Sequence, residues 1–170
     1  RAAGRPLLGS APVGVEGTAA WLEAMGELLG TDRASIEAAI STQKSAIRAA
    51  LDNNPIDAKI TLSGYEGSEL LVARLLIESG AEVAYVGSAC PKTEFSAVDA
   101  KWLEAHGVSV KFRASLEDDL IAMEAFKPDL VIGTTPIVQK AKERSIPSLY
   151  FTNLISARPL MGAAGAGSVA

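Results

Sequence analysis

The stretch KITLSGYEGSELLVARLLIESGAEVAYVG, Lys59 to Gly87, decides the fold. Its opening residues are β-type and end at Ser63, glycines at Gly64 and Gly67 mark a tight turn, a long apolar helix follows, and Glu82 to Gly87 reads as a second strand. A strand, a glycine turn and a helix in that order suit a phosphate cradle. A dinucleotide fingerprint, however, needs G-x-G-x-x-G so that backbone can approach a pyrophosphate. Here the turn reads G-Y-E-G-S, without the middle glycine and with Glu66 at the point of closest approach. A P-loop ends in Gly-Lys-Ser/Thr, and this turn has no lysine. A carboxylate beside a phosphate costs on the order of 1 kcal/mol or more in a partly wet site. Phosphate is therefore the poorer reading. The plainer one is that Gly64 and Gly67 turn the chain while Glu66 is solvated or rests at a helix N-terminus.

Outward from this segment the alternation continues. AKITLS, EVAYVG, VSVKFR, DLVIGT and SLYFTN read as strands, and SELLVARLLIES, SAVDAKWLEAH, LEDDLIAMEAF and VQKAKER as the helices between them. Five β-rich runs separated by helices predict a parallel five-stranded sheet with helices on both faces, a Rossmann-like α/β domain over residues 57–170. Gly80 and Gly107 stand where a helix must turn left-handed before the next strand, and KPD, Lys127 to Asp129, stops a third helix. Ser96 with Asp99 and Ser115 with Asp118 have the spacing of capping boxes. Right-handed crossovers place the first three strands in sequence and send the fourth to the other side of the first. A ligand crevice is then expected between the first and fourth strands, lined by Gly64–Ser68 and Gly133–Pro136, with Thr152–Leu154 nearby.

Residues 1–56 read differently. RAAGRPLLGSAPVGVEG is rich in Gly and Pro and is expected to be mostly irregular; helices follow over Thr18–Gly30 and Ala34–Leu51, ended by Gly30 and by DNNP. The two helices are expected to pack on the α/β core or on another domain. The chain starts at Arg1 without a methionine and closes on small residues, PLMGAAGAGSVA, with no clear final element, which reads as a fragment of a longer polypeptide.

A hydrophobic content of 48% in 170 residues suffices for a buried core, and a net charge of −4 offers no broad basic field for nucleic acid. No uncharged apolar run approaches the ~20 residues of a membrane span, since Arg74 interrupts the best one, so an integral membrane protein is not expected. With no signal segment and a single cysteine, Cys90, the chain reads as soluble and cytoplasmic.

Other residues offer less chemistry. His106 precedes Gly107 at a helix end, where an imidazole pairs with free carbonyls. Cys90 reads as a small buried thiol, with no CxxC or Cys/His spacing to make it a metal ligand. Asp118 and Asp119 are adjacent on a helix, diverge by roughly 100°, and look like first-turn charges suited to the helix dipole. Trp21 and Trp102 fall at helical spacing among Leu and Ala and read as core. KAKER, Lys140 to Arg144, reads as a solvated helix end. No nucleophile–base pair emerges.

Longer motifs carry more. The run from Ile60 to Gly87, then KFRASLEDDL, KPDLVIGTTPIVQKAKE and IPSLYFTNLISARPLMGAAGAGS, together with APVGVEGTAAWLEAMGELLG upstream, resemble the nitrogenase component 1 family in its chlorophyllide-reducing branch, across essentially the whole chain. The resemblance implies a nitrogenase component 1-like domain in a Y-type chain that pairs with a Z subunit. The pair would receive electrons from an ATP-dependent iron–sulfur reductase and reduce a ring double bond of chlorophyllide a. A 4Fe–4S cluster belongs to such a complex, with its cysteine ligands expected outside these residues; ATP is used by the partner reductase and not bound here. The same resemblance puts the turn after the first strand and the loop after the last against the substrate. Gly64, Tyr65, Glu66 and Gly67, Thr134 and Thr135, and Asn153, Arg158 and Met161 are then the expected substrate-binding residues. Arg158 would pair with the pigment's propionate, Leu154, Leu160 and Met161 would supply apolar cover, and Tyr65 or Glu66 would relay a proton. Alternatively, ARPLMGAAGAGS packs one subunit on the other. Two other readings remain open: a non-catalytic scaffold of the same fold, and a nucleotide-sugar-binding domain of glycosyltransferase type.

Overall fold

The computed structural model describes residues 4, 6–9, 11–157 and 159–169. Helices α1 (Gly14–Leu29) and α2 (Arg33–Asp52) lead into β1 (Lys59–Gly64). Then come α3 (Glu69–Glu78), β2 (Glu82–Ser88), α4 (Ser96–Ala105), β3 (Ser109–Phe112), α5 (Leu116–Phe126), β4 (Leu130–Gly133), α6 (Thr135–Glu143), β5 (Ser148–Tyr150), α7 (Phe151–Ser156) and α8 (Gly162–Val169). The strands form a five-stranded parallel sheet in the order β3-β2-β1-β4-β5, as the sequence predicts.

Burial explains why β1 is central. Every residue from Ile60 to Gly64 is buried, as befits a strand covered on both faces. Ile60 and Leu62 are wholly inaccessible, as are Val72 and Leu75 of α3, which packs on them. Each such side chain contributes roughly 1.5–3 kcal/mol relative to exposure. Val13, Val15, Ile47 and Leu51 join the same core, so α1 and α2 are built onto the sheet's own helical layer.

Local signals set most of the boundaries. Gly80 and Gly107 adopt φ of 99° and 80° after α3 and α4. Ser115 and Asp118 form a complete capping box on α5. After that helix Lys127 itself takes the left-handed conformation, ahead of Pro128.

Four expectations change. First, α1 starts at Gly14, not Thr18, because the Glu78 carboxylate of α3 accepts the N–H of Val15 at 2.7 Å, a cap supplied from distant sequence. Second, Ser96 and Asp99 do not form a box. Ser96 exchanges bonds with Thr93, its N–H donating to Thr93 Oγ1 at 3.1 Å and its Oγ accepting the Thr93 N–H at 2.8 Å, while Asp99 binds Arg74 at 2.5 Å. Third, SLYFTN is strand only to Tyr150; Phe151 opens α7 and is buried against Gly64. Fourth, the closing small-residue run is helical. Gly165, Ala166 and Val169 of α8 are buried, Gly167 lies against Ala50 of α2, and Gly165 sits so close to the Leu160 backbone that a Cβ there would collide with it.

Candidate functional site

The connections leaving β1 and β4 part in opposite directions, opening a crevice at the C-terminal ends of these strands. It holds about 370 Å³ and is lined by Tyr65, Gly133, Thr134, Thr135, Tyr150, Thr152 and Asn153. Of the residues predicted from sequence, Tyr65, Thr134, Thr135 and Asn153 line this space together. Glu66 reaches its rim, where Thr152 Oγ1 donates to Glu66 Oε1 at 3.0 Å and meets the Tyr65 hydroxyl at 3.3 Å. Tyr65, Thr152 and Glu66 thus form one hydrogen-bonded array joining the β1–α3 turn to α7. Tyr65 remains 57% exposed, so its phenol is open to a ligand.

Gly64 and Gly67 serve the turn by different means. Gly67 has a φ of 84°, a conformation that side-chain-bearing residues resist. At Gly64 a Cβ would lie 2.5 Å from Glu69 Oε1 and 2.9 Å from the Phe151 ring. Glu69, which sequence reasoning passed over, is the centre of the turn. It is wholly buried, its Oε1 accepts the N–H of Glu66 at 2.7 Å, its Oε2 accepts that of Gly67 at 3.0 Å, and Ser88 Oγ donates to Oε2 at 2.8 Å. The only available sequence signal was an acid directly after Gly67 and Ser68, at the first helical position.

Met161 lies elsewhere, 60% exposed in a groove with Trp21 and Leu22 of α1 and Ala38, Thr42 and Gln43 of α2. Leu154 and Leu160 pack toward the core, so the crevice is walled by threonines, tyrosines, Asn153 and Gly133 and not by the expected aliphatic cover. Trp21 correspondingly lines a surface groove, whereas Trp102 packs on the core and stacks on His106 at 3.7 Å. The His106 ring meets the Trp102 carbonyl at 2.8 Å, the helix-end role expected of it. Arg158 lies outside the described residues.

Asp119 corrects the view of two equivalent surface acids. Asp118 closes the α5 box and pairs with Lys111 at 3.5 Å. Asp119 turns inward over Gly87, accepts the Tyr85 hydroxyl at 2.9 Å, and has its carboxyl pushed up to about 6 by burial.

Among the described residues no three His, Cys, Asp or Glu side chains gather as a metal site, and no helix is long and apolar enough to cross a membrane. The sequence holds one cysteine, whereas a 4Fe–4S cluster takes four thiolates, so these residues alone cannot hold such a cluster. Cys90 is half-buried, with its Sγ 3.5 Å from the Tyr65 carbonyl, packed under the turn.

A five-stranded parallel sheet with a crevice of this kind defines a Rossmann-like α/β domain whose first turn is filled by Glu69 and not free for phosphate, and comparison with known proteins places it further. The chain belongs to the nitrogenase component 1 type oxidoreductase family, whose profile matches residues 1–170. It is 67% identical over 170 residues to the chlorophyllide reductase 52.5 kDa chain of Cereibacter sphaeroides, covering 100% of this chain and 34% of that one. It is 64% identical over 169 residues to the chain of that name in Rhodobacter capsulatus, again 34% of its length. A light-independent protochlorophyllide reductase chain from a Methylobacterium species is 27% identical over 147 residues, covering 84% of this chain and 28% of that one. The chain therefore spans about a third of the length of these curated relatives. Among solved structures, nitrogenase Cp1 at pH 6.5 superposes with a TM-score of 0.61 at 26% identity, covering 91% of this chain and 36% of that one. Nitrogenase Cp1 at pH 5 gives 0.68 at 14% identity over 93% of this chain and 39% of that one, a likeness of fold.

Proposed function

We propose that this chain is part of the catalytic component of a cytoplasmic chlorophyllide a reductase, and that the β1–β4 crevice addresses one edge of the pigment. The observation that carries this is the 67% identity to a chlorophyllide reductase chain along all 170 residues. Reducing a ring double bond takes two electrons and two protons. The electrons are assigned to a Z-type partner and an ATP-dependent iron–sulfur reductase; the cluster of the intact complex supplies the one-electron chemistry, with ligands outside these residues.

What this chain contributes is positioning and proton handling. Tyr65, Thr152 and Glu66 are linked at 3.3 and 3.0 Å, so a proton given up by the Tyr65 phenol to substrate is replaced once the exposed Glu66 carboxylate takes one from solvent and the two bonds of the array reverse, Glu66 donating to Thr152 and Thr152 to Tyr65. Thr134 and Thr135 offer hydroxyls to the pigment's polar edge, and Asn153 an amide. Arg158 is assigned to the propionate. The hydroxyl-rich wall suits a ring edge better than a ring face, so the apolar cover for the macrocycle is assigned to other surfaces of the complex.

The reading is tested anaerobically with the full-length protein, its Z-type partner, the iron–sulfur reductase, ATP and chlorophyllide a, following the absorbance change of chlorin to bacteriochlorin. Turnover supports it. Binding and turnover of protochlorophyllide in place of chlorophyllide, or no pigment binding at all, would overturn it.

A further inference from the structure

The turn between β1 and α3 has what a phosphate cradle needs except vacancy. Consecutive backbone N–H groups of Glu66 and Gly67 point inward, the N-terminus of the ten-residue helix α3 stands behind them, and the Ser88 hydroxyl closes the side. The Glu69 carboxylate fills this space. It is wholly buried, receives three donors at 2.7, 3.0 and 2.8 Å, and sits where a Cβ on Gly64 would intrude. The Cys90 N–H donates in turn to Ser88 Oγ at 3.3 Å, so the end of β2 is drawn into the same network. Burying a carboxylate in a helical layer is unfavourable unless strong donors surround it, and here they do.

We propose that Glu69 is a resident anion that occupies the fold's phosphate cradle, fixing the turn that presents Tyr65 and Glu66 to the crevice and barring external phosphate from it. In dinucleotide-binding domains of doubly wound topology the pyrophosphate rests against the turn after the first strand and the N-terminus of the helix that follows, the region that this carboxylate fills. The glycines therefore mark an anion site correctly, and its occupant comes from the chain itself. This assignment concerns the turn alone and stands or falls independently of which substrate the crevice takes.

The test uses the full-length protein in its complex, with labelled inorganic pyrophosphate in equilibrium dialysis. Wild type should show no saturable binding at this site. Glu69→Ala removes the resident carboxylate and should bind at least tenfold more tightly, one pyrophosphate per chain, and adding Ser88→Ala should abolish most of the gain. Glu69→Gln, which keeps the space filled, should gain little. A side chain needed only for packing would not confer anion binding when removed. Wild type binding as tightly as Glu69→Ala, or a folded Glu69→Ala with no gain, would overturn the proposal. If Glu69→Ala does not fold, amide exchange in the wild-type complex decides. The Glu66 and Gly67 amides should exchange at least a hundredfold more slowly than in an unstructured peptide, and unprotected exchange there would be fatal to the idea.

Discussion

The Tyr85 phenol donates to Asp119 Oδ1 at 2.9 Å, joining the interior strand β2 to the first turn of α5 on the face of the sheet. Tyr85 is 5% exposed, and burial together with the Asp119 charge pushes its own ionisation well above the usual range. Burial dominates at Asp119 as well, lifting its carboxyl to about 6 against the pull of the Tyr85 bond, with Asp118 adding to the rise. Ser63, whose buried hydroxyl makes no hydrogen bond of ordinary geometry, faces the same small cavity.

That pair predicts a pH dependence. The folded-state value of about 6 exceeds the ordinary 3.8, so the folded form holds the proton more tightly than the unfolded chain. The stabilisation this gives is full below about 4, is lost as pH rises through about 6, and stays lost above. Asp119→Asn keeps an acceptor for Tyr85 and carries no charge. It should flatten the slope between about pH 4 and 6 and stabilise the protein at about pH 8 by on the order of 1 kcal/mol, allowing for partial solvent screening. Urea denaturation across that range reads this out; identical slopes for the two proteins would refute it.

Arg74 predicts a stability effect of another origin. Its guanidinium binds Asp99 at 2.5 Å and lies 4.7 Å from the centre of the Trp102 ring, with both charged side chains largely buried. Removing one partner strands the other, so Arg74→Ala should cost about 3 kcal/mol. Arg74→Met with Asp99→Leu should recover most of that loss, because an apolar pair of similar volume suits the layer between α3 and α4. Equal losses in the single and double variants would show that the ion pair is not the source.

At the crevice, Tyr65→Phe in the complete reductase should lower kcat by about a hundredfold while leaving KM nearly unchanged, as expected for loss of a proton relay. Arg158→Ala should do the reverse, raising KM about tenfold with kcat kept. Steady-state kinetics on chlorophyllide distinguish the two; a Tyr65→Phe enzyme of wild-type kcat removes the relay assignment.

Much of the fold was legible because its signals are local or periodic. Five short apolar runs specify the parallel sheet and its order, Gly80 and Gly107 mark the turns they make, and Ser115 with Asp118 caps the helix their spacing announces. The crevice followed from topology, which is why Tyr65, Thr134, Thr135 and Asn153 fall together. Other features depended on contacts between distant residues. Asp99 is taken from its expected box by Arg74, which lies 25 positions away. The first turn of α1 is completed by Glu78, 63 positions on. Glu69 looks like any first-turn acid until the amides of Glu66 and Gly67 and the Ser88 hydroxyl are seen to converge on it. Asp119 is distinguished from Asp118 only by which of them faces Gly87.

The bond from the Val15 N–H to Glu78 also bears on how the polypeptide can be dissected. Burial pushes the Glu78 carboxyl up, and the Val15 N–H pulls it back. A polypeptide begun at residue 57 would deprive that acid of its backbone donor and uncover the apolar side of α3 on which Val13 and Val15 rest. The first of the leading helices is thus riveted to α3 by one carboxylate while both roof the same apolar core, and a shortened version would lose solubility with nothing gained in simplicity.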